Sequence, residues 1–275
     1  MITLLDWGQL EEIPLITSRD NSQLKWGASL SQKKYREKSS CYLVEGLRLA
    51  EEALLAKVKI RAGWLSPVLL QCPRGEKLAL DLWRLGCPLQ RLDDQLLAVL
   101  SQTVSRQGIV LAAEQAVNDI SWLAKGENDL VLILDRLADP GNVGTIIRTA
   151  AAAKAGVILT PGCADLYNPK TVRASMGALF RLPLWQAPSK EEAAVFLRES
   201  NWKIFLADTK GKNIYNGADL SGPLAWVLGS EAEGADPFWH HEADEIISLP
   251  MAASSESLNV AVSAGIILYE CRRYW

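Results

Sequence analysis

Histidine is nearly absent from this chain: His240 and His241 are the only two among 275 residues. Neighbours on a helix point in different directions, and no cysteine or third histidine stands at ligand spacing, so no metal site is expected. The same scarcity leaves histidine-based acid–base chemistry poorly supplied. The five cysteines (Cys41, Cys72, Cys87, Cys163, Cys271) are scattered, odd in number and form no C-x-x-C pair. They read as isolated thiols in a reducing compartment. No apolar run reaches the roughly 20 residues that span a bilayer. The stretch Met1-Ile2-Thr3-Leu4-Leu5-Asp6-Trp7 lacks the basic segment and long apolar core of a signal peptide, so a cytoplasmic protein is expected. The glycines near Gly141 do not follow G-x-G-x-x-G, and no G-x-x-x-x-G-K-[ST] occurs, which removes the ordinary dinucleotide and P-loop readings.

What is present is ordinary globular material, 49% hydrophobic and 22% charged. That is enough for a core in each of two domains. Net charge is −3, from 29 basic and 32 acidic residues, which argues against wholesale coating by nucleic acid. The distribution is uneven. Between Arg19 and Arg61 stand ten basic residues against five acidic ones. The densest part is Lys33-Lys34-Tyr35-Arg36-Glu37-Lys38, preceded by Lys25. A solvated helix face and a surface for a phosphate backbone are both consistent with it.

The pattern divides near residue 115. Residues 1–115 read as a compact α/β unit, with strands at Cys41–Val44, Ala62–Leu65, Gln90–Leu92 and Gly108–Ala113. Helices are expected from about Gly46 and over Gly75–Leu85. A linker is expected over 116–128. From 129 to 275 a second pattern begins with Leu130-Val131-Leu132-Ile133-Leu134, an apolar run suited to a strand covered on both faces. A turn-rich loop, an alanine-rich helix Thr145–Ala155, a stop at Gly156 and a strand Val157–Leu159 follow. That is a β-loop-α-β unit, which makes parallel strands. Further helices are expected at Lys170–Leu179, Lys190–Glu199 and Leu258–Arg272. Further strands are expected at Lys203–Ala207, Ala225–Leu228 and Glu245–Leu249.

Three short blocks sit where these strands end, which is where open α/β sheets collect ligands. The first runs from Asp139 to Arg148. Its glycines either make a tight turn or admit a ligand to the backbone. Arg148 lies among Ile146, Ile147, Ala150 and Ala151, so burial is expected, and a buried guanidinium needs an anionic partner. That partner is either internal, with Glu231 a candidate, or a phosphate or ribose. The second block is Gly229-Ser230-Glu231-Ala232-Glu233-Gly234. The third is Leu249-Pro250-Met251 followed by Glu256-Ser257-Leu258-Asn259-Val260, where Ser257 or Asn259 caps a helix.

Taken in this order, Asn142…Arg148, Gly229-x-Glu231-x-x-Gly234 and Pro250-Met251…Ser257-Leu258-Asn259 resemble the three motifs of the SpoU (TrmH-like) family. These are RNA ribose 2′-O-methyltransferases of the SPOUT superfamily. The stretch Asn168-Pro169-Lys170-x-x-Arg173-Ala174-Ser175-Met176-Gly177-Ala178 is also similar. Asn21-x-x-Leu24-Lys25 and Tyr42-Leu43-Val44-Glu45-Gly46 resemble an L30e-like RNA-binding domain. The resemblance implies an α/β fold: a parallel-sheet SPOUT domain with a deep trefoil knot, preceded by the smaller L30e-like domain. It implies S-adenosylmethionine held at Leu228, Gly229, Leu249 and Leu258, with Met251 and Thr209 nearby. It implies Arg148 acting on the ribose hydroxyl, supported by Asn142, Glu231, Ser257 and Asn259. Arginine titrates above about 12, so whether Arg148 is itself the base or only orients the hydroxyl stays open. RNA contacts fall to Lys25, Lys33, Lys34, Arg36, Lys38 and Arg173. A homodimer through the knotted domain is implied, and ribosomal RNA is favoured over transfer RNA by family analogy. A non-catalytic RNA-binding or ribosome-assembly protein and a base methyltransferase are the rival readings. One departure stands out: where the family commonly has a glycine after Pro-Met, this chain has Ala252-Ala253-Ser254-Ser255.

Overall fold

The computed structural model describes residues 12–101, 107–116, 119–124, 129–214, 218–230, 232–252 and 257–273. Two compact units emerge, each with its own sheet. The first takes residues up to Ala116 together with Tyr167–Phe180, and the second takes the rest, so the division is not contiguous in sequence.

In the first unit, Asn21 starts helix α1 (Ser22–Ser29) by accepting from the amides of Gln23 and Leu24 at 2.9 and 3.1 Å. Helix α2 (Lys33–Ser39) leads into β1 (Cys41–Glu45), then α3 (Leu47–Leu55), β2 (Ile60–Leu65), α4 (Pro73–Arg84), β3 (Leu89–Arg91) and β4 (Ile109–Glu114). The strand order is β1-β4-β2-β3, with β4 antiparallel to both neighbours and β2 parallel to β3. Leu24, Leu30, Leu43, Trp64, Leu97 and Val110 bury one face of it.

Two residues expected on RNA are occupied otherwise here. Arg36 is 2% exposed, and its guanidinium donates to the carbonyls of Leu30 and Ser31 at 2.9 and 2.8 Å. A buried charge needs such partners, so Arg36 braces the α1–α2 turn and is withdrawn from the RNA-facing set. Arg173 sits on the helical turn Pro169–Ala174, which packs on β1, and lies 3.5 Å from the Glu45 carboxylate. The same segment stacks Tyr167 on Tyr42 with ring centres 4.6 Å apart. Lys25, Lys33, Lys34 and Lys38 are exposed.

The second unit carries a six-stranded sheet in which every pair is parallel. Its elements are β5 (Leu130–Leu134), α5 (Pro140–Ala152), β6 (Gly156–Leu159), β7 (Leu184–Gln186), α6 (Lys190–Glu199), β8 (Lys203–Asn213), β9 (Leu224–Leu228), α7 (Pro237–Glu242), β10 (Glu245–Ser248) and α8 (Val260–Cys271). The strand order is β10-β8-β9-β5-β6-β7. All of β5 is buried at 1% exposure or less, as a strand covered on both faces must be.

Local chemistry shifts three boundaries from the expected ones. Helix α5 begins at Pro140 rather than Thr145. Asp139 caps it by accepting from the Asn142 amide at 2.8 Å, and proline at the first helical position has no amide to leave unpaired. Gly141 and Gly144 therefore belong to the helix, not to a loop. Gly156 is no helix stop: it opens β6, and a Cβ there would come within 2.3 Å of the Trp122 ring. The expected linker supplies that ring. Its described part folds a helical turn, Ser121–Ala124, whose Leu123 is 3% exposed in the core of the unit.

The end of α8 is tied down by Arg272, which donates to the carbonyls of Ala153 and Lys154, each at 3.1 Å, and pairs with Asp129 at 2.6 Å. The Arg272 hydrogen bond holds the Asp129 carboxyl below its ordinary value of 3.8. A depressed carboxyl stabilises the fold above its unfolded titration range and loses that contribution as pH falls through the folded value. Arg272→Met is therefore expected to flatten the decline of the melting temperature below about pH 4, read by calorimetry across a pH series. The effect is small, because the Asp129 side chain is 62% exposed and solvent screens the pair.

Candidate active site

The C-terminal ends of β8, β9 and β10 enclose a pocket of about 290 Å³. Three backbone features build it. First, β8 leaves the ladder after Leu206, which pairs with Ile246, and rejoins at Lys212, which pairs with Ile247. The intervening residues bulge away, and Ala207, Asp208 and Thr209 form one wall. Gly211 makes the return possible: a Cβ there would meet the Ile247 backbone at 2.6 Å.

Second, the chain after β9 makes a closed loop. The Ser230 and Gly234 backbones exchange hydrogen bonds at 3.1 and 2.9 Å, and the Ser230 hydroxyl accepts from the Glu233 amide at 3.2 Å. Gly234 sits at φ +71°, where glycine is favoured. Gly229 has no room for a side chain, since a Cβ would fall 2.0 Å from the Ala235 nitrogen. Asp135, 1% exposed at the end of β5, anchors this loop by accepting from the Asp236 amide at 2.8 Å and the Thr160 hydroxyl at 2.9 Å.

Third, Leu249 and Met251 follow β10, and Ser257, Leu258, Val260 and Ser263 come from the approach to α8 and its first turn. Asn259, not Ser257, caps that helix. Its carbonyl oxygen accepts from the amides of Ala261 and Val262, and its amide nitrogen donates to Asn142 Oδ1 at 3.1 Å. The first and third sequence blocks thus meet directly. Loss of a capping side chain costs about 1 kcal/mol, so Asn259→Ala is expected to lower the melting temperature by about 2–4 °C, measurable by differential scanning fluorimetry.

Arg148 departs from expectation. It is exposed, and among the described residues it makes no hydrogen bond or ion pair. Ile146, Ile147 and Ala150 take the buried side of α5, and the helical period leaves Arg148 on the solvent side with Thr145. Glu231 lies outside the described residues. The half-buried thiols Cys163 and Cys271 are poor nucleophiles at neutral pH: desolvation pushes Cys163 up to about 11 and Cys271 up to about 12.

Comparison with known proteins matches residues 129–269 to the SpoU rRNA methylase family and residues 21–111 to an MRM3-like substrate binding domain. The chain belongs to the SpoU rRNA methylase family. A 23S rRNA (uridine(2479)-2′-O)-methyltransferase of Streptomyces viridochromogenes is 32% identical, over 94% of this chain and 91% of that protein. A 23S rRNA (guanosine(2553)-2′-O)-methyltransferase of Bacillus subtilis strain 168 is 30% identical, over 94% and 98%. The AdoMet-bound rRNA methyltransferase of Sinorhizobium meliloti superposes with a TM-score of 0.85 at 30% identity, covering 95% of this chain and 98% of that one.

In this SpoU-family chain the six residues singled out for the cofactor, Leu228, Gly229, Leu249, Leu258, Met251 and Thr209, all stand on the wall of one pocket, with Ser257 beside them. Asn142 and Asn259 meet at its edge. Sequence reading missed Asp208, Ser230 and Ser263. For Asp208 a signal existed: an acidic residue directly after an apolar strand of a parallel sheet.

Proposed function

We propose that this protein transfers a methyl group from S-adenosylmethionine to a ribose 2′-hydroxyl of ribosomal RNA. The observation that carries the reading is the convergence of the family's second and third motifs on one pocket, with Asn142 of the first bonded to Asn259 of the third. The lining suits the ligand. Leu228, Gly229, Leu249 and Leu258 line it, the side chains of Leu228, Met251 and Val260 are apolar and suit a purine, and hydroxyls and one carboxylate remain for a ribose and an amino acid. When bound, the cofactor supplies a sulfonium methyl that is already an activated electrophile.

The chain's own residues then position the acceptor. Asn259 fixes the start of α8, and through Asn142 it ties that start to the first turn of α5. Arg148, exposed on α5 and without an ion pair among the described residues, is open to the substrate. A guanidinium is a poor general base, so we assign Arg148 to orienting the ribose hydroxyl and neutralising adjacent phosphate rather than to removing the proton. Holding hydroxyl and methyl carbon in line supplies much of the remaining rate. In the first unit, Lys25, Lys33, Lys34 and Lys38 present exposed positive charge, Lys25 beside Asp20 at 2.7 Å and Lys33 beside Glu37 at 3.7 Å, and we assign them to the RNA backbone.

A homodimer forms part of this reading. Helix α8, Val-Ala-Val-Ser-Ala-Gly-Ile-Ile-Leu-Tyr-Glu-Cys, is apolar nearly all round, a pattern that belongs to a buried helix. Yet Val262 is 51% and Tyr269 55% exposed. Joint replacement of Val262 and Tyr269 by glutamate is expected to halve the mass found by light scattering; a wild-type protein already monomeric removes the dimer from the reading. Among the described residues no helix is long and apolar enough to cross a membrane, and we place the protein in the cytoplasm with its RNA.

The deciding experiment is site-by-site mapping of ribose methylation in total RNA from cells with and without the protein. One ribosomal position is expected to lose its 2′-O-methyl group. A lost mark on transfer RNA redirects the substrate, one on a base overturns the ribose assignment, and no change together with no cofactor binding by calorimetry overturns the enzymatic reading.

A further inference from the structure

Among the described residues that line the pocket, Asp208 alone carries an ionisable side chain. Its position is set by backbone. It lies in the β8 excursion, whose far end is fixed by the Ser248 hydroxyl donating to the Gly211 carbonyl at 2.9 Å and by the close crossing of Gly211 over Ile247. One carboxylate oxygen, Oδ1, accepts from the Lys210 amide at 2.8 Å. The other, Oδ2, lies 3.7 Å from Nε2 of His240 on α7. The Lys210 amide fixes the carboxylate by a local hydrogen bond, and His240 is near it without a hydrogen bond. A carboxylate has about four lone-pair sites, so acceptor capacity remains for a ligand.

A ligand for this group must bring hydroxyl or amine hydrogens. The rest of the pocket narrows the choice. Its remaining side chains are aliphatic, thioether or hydroxyl, and Asp208 stands two residues past Leu206, where β8 leaves the parallel ladder before rejoining it at Lys212. In dinucleotide-binding α/β folds an acidic side chain accepts from the hydroxyls of a nucleoside ribose, and Asp208 offers the same chemistry here. We propose that Asp208 is a specificity-determining residue that binds the ribose diol of the adenosine ligand. The proposal rests on the reading of the pocket as an adenosine site.

The test is calorimetric titration of the full-length protein with 5′-methylthioadenosine and its 2′,3′-dideoxy analogue. Neither probe carries the amino acid or the sulfonium, so cation binding cannot mimic the result. The wild type is expected to bind the diol-bearing probe about 10- to 100-fold more tightly than the dideoxy probe, the range of a hydrogen bond to a charged group. Asp208→Ala is expected to lose that factor on the first probe and to bind both probes alike. Undiminished discrimination in Asp208→Ala overturns the proposal, as does wild-type affinity for the first probe. If Asp208→Ala does not fold by circular dichroism, Asp208→Asn is read instead, and discrimination reduced less than threefold overturns the proposal. A wild type that binds neither these probes nor S-adenosylhomocysteine at millimolar concentration removes the adenosine site itself; binding without discrimination removes only the role of Asp208.

Discussion

Gly229→Ala is expected to abolish cofactor binding, weakening it by at least about 100-fold, the factor that close to 3 kcal/mol of overpacking represents. The added methyl would fall 2.0 Å from the Ala235 nitrogen and 2.2 Å from the Gly234 carbonyl carbon. Both neighbours are backbone, so no rotamer change relieves the clash. Nor does the loop give way easily. It is closed by the paired Ser230 and Gly234 hydrogen bonds and pinned by the buried Asp135 carboxylate on the Asp236 amide. The methyl group must displace one wall of the pocket from the others. Overpacking of this kind destabilises by about 1–3 kcal/mol, so the melting temperature is also expected to fall by several degrees. Titration with S-adenosylmethionine checks the first effect and calorimetry the second. Wild-type affinity in this variant means that the second motif does not form the ligand wall.

Arg148→Ala is expected to act in the opposite way, removing catalysis while leaving fold and cofactor binding intact. The side chain is exposed and makes no hydrogen bond or ion pair among the described residues, so its truncation shifts stability by no more than about 0.5 kcal/mol. Losing one preorganised donor at a developing oxyanion costs about 100- to 1000-fold in turnover. Single-turnover methylation of the mapped RNA, beside cofactor titration and a melting curve, separates these outcomes. Arg148→Lys is expected to recover only part of the rate, because the ammonium keeps the charge and loses the planar fork. If Arg148→Ala methylates its mapped RNA at the wild-type rate, the catalytic assignment is wrong.

The contrast between these two positions tracks what was legible in the residues. The strands β5 and β9 are readable because fully apolar runs of five residues have few other uses, and the ends of β9 and β10 are marked by Gly229 and Pro250. Asp139-Pro140 was misread as a loop, although an acceptor followed by proline is also how a helix begins. Arg148 was expected to be buried because its sequence neighbours are apolar, yet the helical period, not adjacency, decides which side a residue faces. Arg36 erred the other way. It stands in the most basic stretch of the chain, but one of its guanidinium nitrogens meets two carbonyls at a turn, and only the folded turn brings those carbonyls together.

By itself the sequence determined the class of fold, the family, and the strand ends at which a ligand would be held. Those properties depend on local pattern: apolar runs, caps and short motifs whose members are neighbours along the chain. Tertiary structure alone decided that Ala207 and Asp208 join the motif residues around one pocket, that Asn142 meets Asn259 across 117 positions, and that Tyr167–Phe180 packs with the first unit. Each of these rests on contacts between segments far apart in sequence. Such contacts depend on how strands pair in a sheet whose order, β10-β8-β9-β5-β6-β7, is not the order of the chain.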